Sequence, residues 1–103
     1  MGFALGARSR ANLKGVHPDL VGVVEEAIRL TEVDFAVTEG LRSKERQAAL
    51  VDGQVRWDWP LYGRIAAAFK AAAKKRGVAL TWGGDWMRLR DGPHFELDRR
   101  AYP

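Results

Sequence analysis

The spacing of hydrophobic residues changes along the chain, and the first clear pattern is that of a helix. From Pro18 to Leu30 the apolar residues recur every three or four positions, as on one face of a helix. His17-Pro18-Asp19 is typical of a helix start, and we interpret His17 as the cap residue. The predicted buried stripe of this helix consists of Leu20, Val23, Val24, Ala27 and Ile28.

The next segment alternates in a way that is typical of a strand. Apolar side chains fall on one side of residues 33–38, and residues 39–42 read as a turn. Ser43 is a good helix cap, so we predict a short helix from there to about Leu50, followed by a turn at Asp52-Gly53.

The second half of the chain predicts one long helix and two short strands. Asp58 and Pro60 suit the start of this helix, and Gly77 suits its end. Residues 78–82 and 94–97 read as strands. We therefore expect an α+β fold with about three helices on a small, mostly antiparallel sheet, in which residues 1–15 form an N-terminal arm and residues 16–103 the domain.

Composition narrows the functional classes. The 103 residues contain no cysteine, which excludes disulfides and thiol catalysis, and no apolar run is long enough to span a membrane. The net charge of +4 favours polyanionic partners. The basic residues are spread along the chain, however, so most are expected to be solvated partners of helix ends. The first residues do not resemble a secretion signal.

The strongest candidate for chemistry is the run Asp91-Gly92-Pro93-His94. A histidine can bind a metal such as zinc, and an acid three residues earlier can accept a proton from water. The alternative is a histidine that only makes a hydrogen bond at a strand start. Arg42 is the second candidate, because a guanidinium beyond a strand can hold a carboxylate or an oxyanion; it could equally be a surface side chain. Asp85 is either a cleft residue or a turn residue.

Several runs together resemble a known family. They are residues 9–20, residues 33–42, Trp82-Gly83-Gly84-Asp85-Trp86 and Asp91 to Leu97, and they cover nearly all of the chain in order. The chain thus resembles phage and prophage endolysins of the L-alanyl-D-glutamate peptidase type, relatives of the zinc D-alanyl-D-alanine carboxypeptidases. The resemblance implies a zinc cofactor, the peptidoglycan stem peptide as substrate, and cell-wall degradation during phage lysis.

The resemblance also implies roles for individual residues. His94 takes the position of the family's C-terminal zinc ligand, and Asp91 that of its general base. Arg42 takes the position of an arginine that binds the substrate carbonyl or stabilises the oxyanion. Such a protein is expected to be made in the cytoplasm of a bacterial host and to act on the wall, without a specific nucleic-acid partner.

One family motif has no counterpart here. The motif Ser-x-His-x-x-Gly-x-Ala-x-Asp supplies two of three zinc ligands and should lie between Leu50 and Trp57, where the chain holds only a short connection. We therefore expect a sheet that lacks one strand and leaves an edge on which a second copy could pair. The ligands could be replaced by His17, Asp52 or a second subunit. Otherwise the chain would be an inactive wall-binding scaffold or a basic polyanion-binding module.

Overall fold

Helices and strands of the protein were located in a computed structural model, which describes residues 3–42, 47–53, 59–85, 92–98 and 100–102. The helices are α1 (Ala7–Asn12), α2 (Pro18–Leu30) and α3 (Trp59–Arg76). The strands are β1 (Phe35–Arg42), β2 (Gln47–Gly53), β3 (Leu80–Trp82) and β4 (His94–Leu97), with a short 3-10 turn at Gly83–Asp85. The predicted α+β class is confirmed.

The four strands form an antiparallel sheet in the order β1-β2-β4-β3. Helices α2 and α3 pack against each other and cover one face of it. The predicted stripe of α2 is fully or almost fully buried. From α3, Phe69 stacks on Phe95 of β4 with ring centroids 3.9 Å apart. Apolar side chains at helical spacing therefore meet the inward face of alternating strands.

Two helix boundaries follow the sequence signals closely. The Nδ1 atom of His17 accepts a hydrogen bond from the backbone N–H of Asp19 at 3.0 Å, so His17 is the cap of α2, as predicted. Gly77 follows α3 with a φ of 69°, a left-handed conformation that glycine adopts without a steric penalty. The predicted cap Asp58 lies outside the described residues.

The helix predicted from Ser43 to Leu50 is wrong over its described part. Residues 47–53 form β2, in the interior of the sheet between β1 and β4. The turns predicted at residues 39–42 and 52–53 are strand residues as well, paired between β1 and β2. Ala48, Ala49 and Val51 are completely buried, and pairing on both sides of β2 outweighs the local helix preference of this segment.

The N-terminal segment packs onto the outer edge of β1. Inside α1, the Ser9 side chain accepts a hydrogen bond from the backbone N–H of Val37 at 3.0 Å. Asn12 donates its side-chain N–H to the carbonyl of the same residue at 2.8 Å. Ser9 is thus buried within the helix and is not its cap, which is Gly6. The division of the chain at residue 15 stays a prediction.

Candidate active site

The centre of the candidate site is His94, the first residue of β4. Cross-strand pairing places His94 opposite Leu50 and places Glu96 opposite Ala48. Because side chains alternate along a strand and Phe95 points to α3, His94 and Glu96 lie on the sheet face away from α3. Both are nevertheless buried, with 3% and 6% of their surface exposed.

His94 and Glu96 form a close pair. The Nε2 atom of His94 lies 2.5 Å from Oε1 of Glu96. A carboxylate accepts hydrogen bonds, so the Nε2 atom of His94 is the side of the ring that faces Glu96, and Nδ1 is the other ring nitrogen. Histidines that bind metals usually donate their other N–H to a carboxylate in this way. The sequence predicted His94 but not Glu96, although the spacing of two in a strand was a usable signal.

The turn before His94 is held from three sides. Trp82, the last residue of β3, donates its indole N–H to the carbonyl of Gly92 at 2.7 Å. The backbone N–H of Val51 donates to the carbonyl of Pro93 at 2.9 Å. The ring of Tyr62 packs against Gly92, where a Cβ atom would lie 3.2 Å from it. Three elements, β3, β2 and α3, therefore fix the backbone that leads into His94.

The structure describes the other predicted site residues to different extents. Asp91 lies outside the described residues. Arg42 is the last residue of β1, within the strand and not after a turn, and its side chain is not described. Asp85 lies in the turn after β3 and forms an ion pair with Lys70 of α3, at 2.9 Å.

The two candidate replacements for the missing zinc ligands have other contacts. The Nδ1 atom of His17 accepts the capping hydrogen bond of α2, and its ring meets Tyr102 edge-on. Asp52 accepts a hydrogen bond from the hydroxyl of Tyr62 at 2.9 Å. Within the described part of the chain, no three histidine, aspartate or glutamate side chains come together as a metal-binding group.

Comparison with known proteins identifies the family. A model of the phage L-alanyl-D-glutamate peptidases matches residues 1–52, and a model of D-alanyl-D-alanine carboxypeptidases matches residues 31–97. The crystal structure of the Serratia marcescens L-Ala D-Glu endopeptidase ChiX is 41% identical, with a TM-score of 0.86 over 94% of this chain and 91% of that one. The chain belongs to the L-alanyl-D-glutamate peptidase family.

Two curated L-alanyl-D-glutamate peptidases are also similar. The peptidase of Escherichia phage T5 is 27% identical over 99% of this chain and 94% of its own length. The peptidase of Listeria phage A118 is 26% identical over 93% of this chain, which spans only 43% of that longer protein. The alignment with the T5 peptidase covers 130 positions. Because 99% of this 103-residue chain fills about 102 of them, about 28 positions are gaps in this chain.

Zinc is the cofactor implied by membership of this family. The surroundings of His94 would suit a zinc ligand, because a buried carboxylate lies against its ring, as is usual for histidines that bind metals. The rest of the donor set does not fit. A catalytic zinc takes about three protein ligands. Among the described residues no three histidine or carboxylate side chains come together, and His17 is used as a helix cap. The described residues do not make a complete zinc site.

Proposed function

We propose that this chain is an L-alanyl-D-glutamate peptidase with a reduced catalytic centre, which acts slowly on the stem peptide of peptidoglycan. The observation that carries the proposal is the buried pair of His94 and Glu96 at the end of a turn fixed by three elements. Burying ionisable side chains is costly unless they are hydrogen-bonded, and each member of this pair has the other as a partner. The bond proposed to be cleaved is the L-alanyl-D-glutamate bond, after which the relatives above are named.

The chain's own residues would divide the work as the family resemblance implies. Asp91 would accept a proton from the attacking water, which needs a carboxylate within hydrogen-bond reach of it. Arg42 would hold the substrate carbonyl and the oxyanion that forms from it, since a fixed cation there stabilises developing negative charge. His94 would stand beside the reacting atoms, with its ring orientation set by Glu96.

The rate should be low because the metal-binding motif is missing. Removing even an indirect partner of a zinc ligand costs about 10–100-fold in affinity or activity, and two direct ligands have no counterpart here. We therefore expect cleavage at least about 100-fold slower than that of the phage T5 peptidase.

The test is release of new amino termini from purified peptidoglycan, with the T5 peptidase measured in parallel. The residual activity should disappear in His94→Ala and in Asp91→Asn. The control is Asp34→Asn, at the residue before β1, a strand that β2 separates from β4. A rate equal to that of the T5 peptidase, or residual activity in His94→Ala, would contradict the proposal.

A second candidate is a wall-binding protein without hydrolysis. The small number of histidines favours it, because no described side chain replaces the missing ligands. Zinc calorimetry and a peptidoglycan pelleting assay separate the two functions. Chain that pellets with the wall, binds no zinc and releases no amino termini would establish the second candidate.

A basic polyanion-binding module is less well supported. In the described part of the chain, many basic side chains already pair with carboxylates: Arg10 with Glu25, Arg29 and Lys75 with Glu26, Lys70 with Asp85, and Arg100 with Asp98. Pairing of this kind reduces the local positive potential that a polyanion would need.

A further inference from the structure

We propose that Trp82 is a positioning residue of the active site, acting on His94 through the turn at Gly92 and Pro93. The inference rests on the proposed function, since it takes that turn as the site. It gives a role to the run Trp82-Gly83-Gly84-Asp85, which the mechanism otherwise leaves unused. The observation behind it is the hydrogen bond from the Trp82 indole N–H to the Gly92 carbonyl, at 2.7 Å. The two residues are ten positions apart in the sequence.

The bond acts on the one stretch of backbone that separates the proposed base from His94. Gly92 and Pro93 are the two residues between Asp91 and His94. The Gly92 carbonyl accepts from Trp82 on the β3 side, and the Pro93 carbonyl accepts from Val51 on the β2 side. Fixing both carbonyls fixes the direction in which the chain enters β4, and with it the placement of the His94 ring.

The indole is itself held in place on several sides. Its ring lies nearly parallel to Phe95, with an interplanar angle of 16° and centroids 6.3 Å apart. The Nζ atom of Lys70 lies 5.2 Å from the ring centroid and is fixed by its ion pair with Asp85. Gly84 passes so close that a Cβ atom there would overlap the ring.

These contacts account for the composition of the run. Only glycine lets the chain fold back over the indole at position 84, and Asp85 holds the lysine that covers the ring. An aromatic residue without a donor would still stack on Phe95. The N–H group is what a positioning role needs, and tryptophan alone among the large aromatics always donates from its ring.

The decisive variant is Trp82→Phe, which keeps an aromatic ring and removes the donor. The matched control is Leu80→Ala, at the other end of β3, where the side chain packs on the core and is paired with Leu97. Amide exchange of Val51 reports on the turn without any need for activity, and kcat and KM on stem peptide report on the site. The signals of the His94 ring are followed by NMR in each variant.

We expect Trp82→Phe to speed exchange of the Val51 amide about fivefold relative to Leu80→Ala and to shift the His94 ring signals. We expect kcat to fall about 10–100-fold with KM nearly unchanged, because the substrate is bound but the reacting groups are misplaced. Unchanged exchange and ring signals in Trp82→Phe, or equal changes in Leu80→Ala, would overturn the inference.

Two outcomes need separate readouts. If the wild-type chain releases no amino termini, the proposed hydrolysis fails, while Val51 exchange and the His94 signals still decide the role of Trp82. If Trp82→Phe does not fold, the wild-type indole decides instead. Its N–H should exchange much more slowly than free indole, and exchange at the free rate would overturn the inference.

Discussion

At the scale of single residues, the pair of His94 and Glu96 is the most informative feature. A buried carboxylate is costly unless it receives hydrogen bonds, and a buried imidazole needs a partner for its N–H. The 2.5 Å contact meets both needs at once. We therefore expect the pair to stabilise the fold as well as to orient the ring, and the two effects can be measured separately.

We expect Glu96→Ala to lower the free energy of unfolding by about 1–3 kcal/mol, because it removes the carboxylate that hydrogen-bonds the buried Nε2 atom of His94. Urea denaturation at neutral pH measures the change. Thr81, which pairs with Glu96 across β3 and β4, gives the control variant Thr81→Ala. Equal or higher stability in Glu96→Ala would show that the cost of burying the carboxylate exceeds the benefit of the pair.

At the scale of elements, a glycine inside α3 and a glycine in the turn after β3 differ in whether a larger residue could replace them. Gly63 is exposed within α3, and a Cβ atom there would meet nothing within 4 Å. Gly84 lies against the Trp82 ring, where a Cβ atom would come within 2.3 Å of it. One glycine is therefore replaceable, and the other is required by packing.

Gly63→Ala should raise the free energy of unfolding by about 0.5–1 kcal/mol, because alanine loses less backbone entropy in a helix. Gly84→Ala should lower it by about 1–3 kcal/mol, because the methyl group displaces the indole. Thermal or urea unfolding of both variants checks the pair of predictions. Unchanged or higher stability in Gly84→Ala would contradict the packing described for Trp82.

The elements also show how much could be predicted from sequence. The segments α2 and β4 carry strong local signals, a cap with a 3.6-residue stripe and a short apolar run, and both were found at their observed bounds. The segment β2 was missed, since Gln47 to Leu50 favours a helix locally and becomes a strand only through its two neighbours. His94 was singled out because an acid stands three residues before it, and its role stays a prediction. Glu96 and Trp82 were missed because their roles depend on contacts between strands.

At the scale of the whole molecule, the C-terminal residues are tied back to the start of α2. The hydroxyl of Tyr102 donates to Asp19 at 2.7 Å, and its ring meets the edge of His17. The hydrogen bond to Asp19 raises the pKa of the Tyr102 phenol above its usual value, with smaller contributions from burial and from the carboxylate charge. The tie thus depends on a protonated phenol.

A group whose pKa is raised by folding stabilises the fold below its unfolded pKa and loses that contribution as the pH passes the raised value. We therefore expect the C-terminal tie to persist at neutral pH and to open at strongly alkaline pH. Ultraviolet titration of the phenol should show the pKa of Tyr102 falling in Asp19→Asn and unchanged in Asp34→Asn. An identical Tyr102 titration in wild type and Asp19→Asn would rule out the tie.

No helix in the part of the chain that the structure describes is long and apolar enough to cross a membrane.

The contacts between α1 and β1 bear on whether the open edge of the sheet can pair with other chains. Open strand edges invite other chains to add to a sheet, and proteins guard against this by covering them. Here Ser9 and Asn12 occupy both backbone groups of Val37. Loss of the first dozen residues, by proteolysis or truncation, would therefore turn this edge into a template for aggregation.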